Sequence, residues 1–223
     1  MSSTFKVEVL SKDYAAEAAA RIAKDLPGGG ALVLTGGTTA ETIYPQLQGL
    51  KDDWSAVRIA FSDERCVPPD HSASNYGMAK RLLLDGAEPA EVVRMRGELA
   101  PPMGAATYHD AVHPLVEAGF DLLLLGMGAD AHIGAMFPGS PALKSQRLCE
   151  SVDRPDGMKG LTLTPPAMLS ARKILLLVTG DKKAPTVARA LQSDEPPASC
   201  PVRLLAEHPD VTFLLDEAAA SAL

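Results

Sequence analysis

Short apolar runs recur along the chain, each separated by glycine- or proline-rich breaks from a segment of helical spacing. Residues 5–10 (FKVEVL) alternate and predict a first strand. Residues 13–26 place Ala, Ile and Leu at helical intervals and stop at Pro27-Gly28-Gly29-Gly30. Ala31–Leu34 predicts a short strand, residues 35–39 a turn, and residues 40–50 a helix. A strand at 57–62 opens onto Asp63-Glu64-Arg65; a loop to 75 and a helix at 75–84 follow. Residues 92–95 predict a strand and 103–118 a helix. The stretch 121–139, DLLLLGMGADAHIGAMFPG, starts as a continuous apolar run and breaks at Gly126-Met127-Gly128. An apolar run bounded by glycines reads as a strand buried on both faces, as in parallel sheets. Beyond it, 148–152 and 161–164 predict shorter strands around a loop at 154–160. A short helix starts at Pro165-Pro166. Residues 173–178 predict a buried strand, with a helix after it to about 191. Pro196-Pro197 reads as a linker, with a short helix after Pro201, a last strand at Val211–Leu215 and an Ala-rich tail.

Strands alternating with helices imply a mostly parallel, Rossmann-like sheet with helices on both faces, a three-layer α/β/α architecture. No composition shift marks a boundary, so residues 1–223 are expected to form a single domain.

Composition narrows the functional classes. Aromatic residues make up 4% of the chain, too few for a base-stacking platform, and the net charge of -7 argues against nucleic acid. A small anionic substrate stays open, because screening over ~8 Å lets two or three local cations outweigh distant carboxylates. Cys66, Cys149 and Cys200 form no CxxC pair and fit a reducing compartment. No apolar leader opens the chain and no run approaches membrane-spanning length. A cytoplasmic protein is expected, without a membrane partner.

Three strand-to-helix turns carry the candidate chemistry. In a parallel sheet all three fall at the carboxyl edge, where open α/β folds bind ligands. Gly36, Gly37, Thr38 and Thr39 offer free backbone N–H groups, hydroxyls and a helix N-terminus, a combination suited to phosphate. The same turn also reads as a plain tight turn in which Thr38 caps the helix. Lys182 and Lys183 open another helix, where cations oppose the dipole unless an anion offsets them. Arg65 can clamp a phosphate or carboxylate, or pair with Asp63 or Glu64. An imidazole titrates near pH ~6.5 in water, which suits His132 to general-base work. Asp130 lies two residues earlier and faces the same ligand only if the turn there is irregular. It can then orient the imidazole or position water or a substrate hydroxyl.

Two further patterns are decoys. Gly126-x-Gly128-x-x-Ala131, with Glu150 downstream, matches a dinucleotide fingerprint, but Pro138, Gly139 and Pro141 leave no room for a crossover helix. His109 and His113 stand at helical spacing without a third ligand, so no metal is expected.

Together these motifs resemble the 6-phosphogluconolactonase family, within the broader sugar-phosphate isomerase and deaminase fold group. Leu34-Thr35-Gly36-Gly37-Thr38-Thr39 resembles the family's S-G-G-S-T turn. Phe61 to Pro68, with Ser74-Asn75, resembles D-E-R-x-V-P…S-N. Gly126 to His132 with Phe137-Pro138-Gly139 resembles G-M-G-x-D-G-H-T-A-S-L-F-P-G. Thr179-Gly180-Asp181-Lys182-Lys183 resembles T-G-E-x-K. The resemblance implies hydrolysis of the 6-phosphogluconate δ-lactone in the oxidative pentose phosphate pathway, without cofactor or metal. It implies His132 as the base activating water and Asp130 as its support. Arg65 and Lys183 would bind the anionic sugar-phosphate lactone with the turn from Gly36 to Thr39, in a monomer or small homo-oligomer.

Two departures stand out. Ala131 replaces the glycine before the histidine and would be strained if that position has φ > 0. Ile133 is similar to the glucosamine-6-phosphate deaminase motif D-G-H-I-A-F-N-E-P-G, but Met136-Phe137-Pro138 lacks its N-E acid. A deaminase-like enzyme and a non-catalytic sugar-phosphate-binding protein are the alternatives.

Overall fold

The computed structural model describes residues 5–11, 13–50 and 53–223. Part of the leader reading, residues 1–4, lies outside them. Among the described residues ten strands and seven α-helices follow in chain order: β1 Lys6–Val9, α1 Tyr14–Asp25, β2 Ala31–Leu34, α2 Thr38–Gln48, β3 Arg58–Phe61 and β4 Asp63–Arg65. Next come α3 Asn75–Ala79, a π-helical turn Lys80–Leu84, α4 Asp85–Ala87, β5 Glu91–Val92, α5 Pro101–Ala118 and β6 Leu122–Gly126. The chain ends through β7 Cys149–Asp153, β8 Lys159–Leu163, α6 Pro165–Met168, β9 Ile174–Val178, α7 Ala184–Gln192 and β10 Val211–Leu215.

Seven strands form one sheet in the order β1-β10-β9-β6-β2-β3-β5, and every pairing is parallel. The central strands β2 and β9 are buried along their whole length, as their unbroken apolar sequences require. The helices bury one stripe each. In α2 the buried positions Ala40, Ile43, Tyr44 and Leu47 follow the i, i+3, i+4, i+7 pattern. In α5 they are Gly104, Ala105, Tyr108, Val112 and Leu115, behind Pro101 and Pro102 in the first turn. Asp13 caps α1 through the Ala16 amide. No helix among the described residues is long and apolar enough to cross a membrane.

Two buried tyrosines pin the strand ends that carry the site. The Tyr44 hydroxyl donates to the Thr35 carbonyl (2.6 Å) and accepts from the Thr35 amide (3.0 Å). Tyr108 does the same at Phe61, at 2.9 and 2.8 Å. Burial pushes both phenols far above their ordinary range, so both stay neutral.

The structure differs from the sequence expectation at three places. Asp63-Glu64-Arg65, to which the sequence pattern assigns no element beyond the strand at 57–62, forms a strand of its own. It leaves the main sheet after Ser62 and pairs antiparallel with β8, in a second sheet of order β4-β8-β7. No apolar run announces it, because its carboxylates are satisfied by other means, described below. The strand expected at 92–95 is shorter and earlier, Glu91–Val92, paired with β3. The helix expected at 75–84 loosens into a π turn after Ala79.

Candidate active site

The strands β3, β2, β6 and β9 are consecutive neighbours in the sheet, so the turns leaving their carboxyl ends meet. They enclose a cleft of about 210 Å³ lined by Gly36, Gly37, Thr38, Thr39, Asp63, Arg65, Gly128, His132, Arg154 and Lys183, among others. A larger depression, about 640 Å³, lies across Phe137 and Arg154, and neither His132, Arg65 nor Lys183 lines it. The chemistry therefore sits in the smaller cleft.

The turn after β2 enters α2 with Gly37 at φ 93°, and no side chain caps the helix. Thr38 is its first helical residue rather than its cap, so the amides of the first turn are left for solvent or a ligand. The Thr39 hydroxyl meets the Thr179 hydroxyl at 2.7 Å, tying this turn to the one after β9.

The turn after β6 never becomes a helix. The Ala131 amide donates to the Gly128 carbonyl (3.1 Å) and the Gly128 amide to the His132 carbonyl (2.9 Å), closing a tight loop. That irregularity lets Asp130 reach back. Its Oδ1 lies 2.6 Å from His132 Nδ1 and also accepts from the His132 amide at 3.2 Å. An ionised carboxylate only accepts, so Nδ1 carries the proton and Nε2 is left as the basic nitrogen. Burial pushes the Asp130 carboxyl up, but the charge and hydrogen bonds of His132 outweigh it and hold it below its ordinary value. Asp130 itself does not line the cleft; it stands behind the imidazole.

Packing fixes this pair from both sides. A Cβ on Gly128 would overlap the His132 ring and the Asp130 carboxylate, so only glycine lets them lie on the backbone there. This explains the glycine of the apparent dinucleotide motif, and no crossover helix follows it. Phe137 packs against the imidazole with centroids 4.4 Å apart, and the Arg154 guanidinium covers Phe137 at 5.5 Å. Ala131, fully buried, sits at φ 72°, the left-handed conformation in which alanine is strained. The Thr186 hydroxyl on the Ala129 carbonyl (2.6 Å) and the Val202 amide on the Ala131 carbonyl (3.0 Å) hold it there.

Opposite lies Arg65. It forms no ion pair with Asp63 or Glu64; its Nη1 donates to the Ala73 carbonyl (2.9 Å) and to Asn75 Oδ1 (2.6 Å). Glu64, almost fully buried, instead accepts from the amides of Arg65, Asn75 and Tyr76 and from the Ser74 hydroxyl, at 2.7–2.9 Å. Burial still prevails over those bonds and keeps its carboxyl above the ordinary value.

Lys183 reaches the cleft from the turn after β9, and it makes no salt bridge among the described residues. Burial pushes its ammonium down, and the Asp130 charge opposes that. The neighbouring Lys182 points elsewhere, which separates the pair the sequence left together. Arg154, from the hairpin between β7 and β8, adds a third cation and pairs with Asp156 at 3.0 Å. Sequence reasoning placed that hairpin as a loop and gave Arg154 no role, since nothing in its spacing ties it to the three turns. No cluster of metal-ligating side chains occurs among the described residues. His109 instead accepts from the Leu148 amide at 3.0 Å.

A model of the family described as glucosamine-6-phosphate isomerases/6-phosphogluconolactonase matches residues 6–213. A 6-phosphogluconolactonase of Synechocystis is 33% identical over 205 residues, covering 88% of this chain and 85% of its own. One of Treponema pallidum is 35% identical over 183 residues, covering 77% and 75%. Among solved structures, 6-phosphogluconolactonase from Trypanosoma cruzi matches with a TM-score of 0.87 at 27% identity, over 100% of this chain and 98% of its own. A monomeric glucosamine-6-phosphate deaminase matches at 0.86 and 25%, over 98% and 100%. Sequence and fold agree over nearly the whole length: the chain belongs to the glucosamine-6-phosphate isomerase/6-phosphogluconolactonase family.

Proposed function

We propose that this cleft hydrolyses 6-phospho-D-glucono-1,5-lactone to 6-phosphogluconate, a step of the oxidative pentose phosphate pathway. The observation that carries the reading is the His132–Asp130 contact of 2.6 Å, beside a cleft that Arg65 and Lys183 also line. A lactone is an activated ester. Its hydrolysis needs a positioned water, a base and an anion clamp, and no redox or metal chemistry.

His132 Nε2 takes a proton from water as the oxygen attacks the lactone carbonyl, and Asp130 stabilises the imidazolium that forms. When the ring C–O bond breaks, the imidazolium returns the proton to the departing ring oxygen, leaving a carboxylic acid that ionises in solvent. Such a base contributes ~10²–10⁴-fold. Arg65 and Lys183, with the amides of Gly37, Thr38 and Thr39 beside Gly36, hold the phosphate. At an effective dielectric of ~20 and ~4 Å each cation offers ~4 kcal/mol of attraction before desolvation. Arg154 extends this positive wall. The whole chain works as one domain in the cytoplasm, as a monomer or small homo-oligomer, on a small sugar phosphate rather than nucleic acid.

The likeness to a deaminase gives the second reading its weight. Against it, residues 136–138 are Met-Phe-Pro where the deaminase motif carries its acid. Purified protein assayed for 6-phosphogluconolactone hydrolysis, with the spontaneous rate subtracted, and for glucosamine-6-phosphate deamination decides between them. Lactone hydrolysis alone is the expected result. Deamination without it overturns the reading, and turnover of neither favours a binding protein.

A further inference from the structure

Arg65 is constrained to an unusual degree. Both hydrogens on Nη1 are committed, to the Ala73 carbonyl and to Asn75 Oδ1. Its Nε is one of three buried side-chain nitrogen or oxygen atoms with no hydrogen-bond partner among the described residues. With Nη1 committed and Nε sealed from solvent, the guanidinium meets a ligand through Nη2, a charged donor whose aim is set by the bonds at Nη1.

Asn75 sets that orientation. It is 1% exposed and every polar atom of its amide is used. Nδ2 donates to the Asp63 carbonyl and to Asp63 Oδ2, both at 3.0 Å, which leaves Oδ1 facing Arg65. The reverse orientation would turn the amide's donors on a guanidinium, so the assignment is unique. The backbone amide of Asn75 is held by Glu64 at 2.7 Å. The same side chain also touches the phosphate turn: a Cβ on Gly36 would overlap Oδ1, so the amide lies flat against the Gly36 backbone. One buried amide thus sets both the angle of the guanidinium and its distance from the turn after β2.

We propose that Asn75 is a positioning residue for phosphate recognition, acting through Arg65. The inference rests on the reading of Arg65 as a phosphate contact. Binding isotherms for 6-phosphogluconate and for gluconate test it without needing turnover, so absence of lactone hydrolysis in the wild type would sink the proposed reaction and leave this assay intact. The series is Asn75→Ala, Arg65→Ala and the double variant. The expected result for Asn75→Ala is a loss of at least ~10-fold in 6-phosphogluconate affinity, little change for gluconate, and a raised KM with kcat within about threefold. Adding Asn75→Ala to Arg65→Ala should cost less than about twofold more. Asn75→Asp is nearly isosteric and serves if the alanine variant folds poorly. Its carboxylate against Arg65 should weaken 6-phosphogluconate binding at least as much. Unchanged affinity, equal losses for both ligands, additive losses in the double variant, or a wild type or Arg65→Ala without effect on phosphate preference would each overturn the assignment.

Discussion

The two walls of the cleft are built on opposite plans. Arg65 stands on a dense buried network: Glu64 accepts four hydrogen bonds, Asn75 makes three through its amide, and Ser74 caps α3 through the Gly77 amide. His132 stands on a tight turn with one side-chain hydrogen-bond partner, a strained alanine beside it and a ring partly open to solvent. The difference follows from what each must do. A guanidinium never changes charge, so its position can be fixed by groups that would be costly to leave unpaired. An imidazole that takes and returns a proton needs one oriented partner and access to water. The first wall holds a charge still; the second lets one move.

Removing the moving charge should have the largest effect. His132→Ala is expected to lower kcat for lactone hydrolysis by at least ~10²-fold while leaving stability nearly unchanged, since few bonds depend on the ring. Kinetics corrected for spontaneous hydrolysis, with a urea unfolding curve beside them, measure both. A near-normal kcat would remove the base from the proposed mechanism, and a large stability loss would blur the contrast between the walls.

The opposite wall should respond in stability. In Glu64→Gln an amide replaces a carboxylate that only accepts, so at least one N–H of Tyr76, Asn75 or Arg65 loses its partner. The expected loss is about 1–3 kcal/mol in urea unfolding at neutral pH. The pH dependence carries a sign. Burial holds the Glu64 carboxyl above its ordinary value, so its contribution to stability is fully present below the unfolded pKa and is lost as pH rises through the folded value. The glutamine variant should lack that slope. A variant as stable as the wild type would mean that the four bonds only offset desolvation, and that Arg65 is held by Asn75 and Ala73 alone.

The same contrast explains what was legible in the sequence. The parallel sheet was readable because β2 and β6 are unbroken apolar runs between glycines and β9 is another that breaks at Gly180. The chemistry of the second wall was readable too, since Asp130 and His132 are two residues apart and need only a local turn to meet. Of the first wall, Arg65 was readable as an anion clamp, but not the network that holds it. Its strand β4 is polar and pairs with β8, nearly a hundred residues away, and Asn75 reaches Arg65, and Arg154 the cleft, through tertiary packing that no local spacing records. The glycines were legible as glycines but not for their cause. Gly36 and Gly128 are required because Asn75 and the His132–Asp130 pair lie against them, which neither a phosphate cradle nor a dinucleotide fingerprint would have indicated.

Ala131 offers the finest test, because three comparable terms compete there. Left-handed backbone costs alanine ~1–2 kcal/mol relative to glycine. Against that relief, Ala131→Gly removes a buried methyl worth ~0.8 kcal/mol. It also adds ~0.4–1 kcal/mol of conformational freedom to the unfolded chain. The terms nearly cancel, so the variant should differ from the wild type by less than about 1 kcal/mol in thermal or urea unfolding, with kcat within about threefold. Cancellation would mean that the bonds from Thr186 and Val202, rather than the alanine methyl, hold the turn in shape. If kcat instead falls by more than tenfold with stability unchanged, the methyl is what keeps His132 in line with Asp130, and the mobile wall is more tightly built than its few hydrogen bonds indicate.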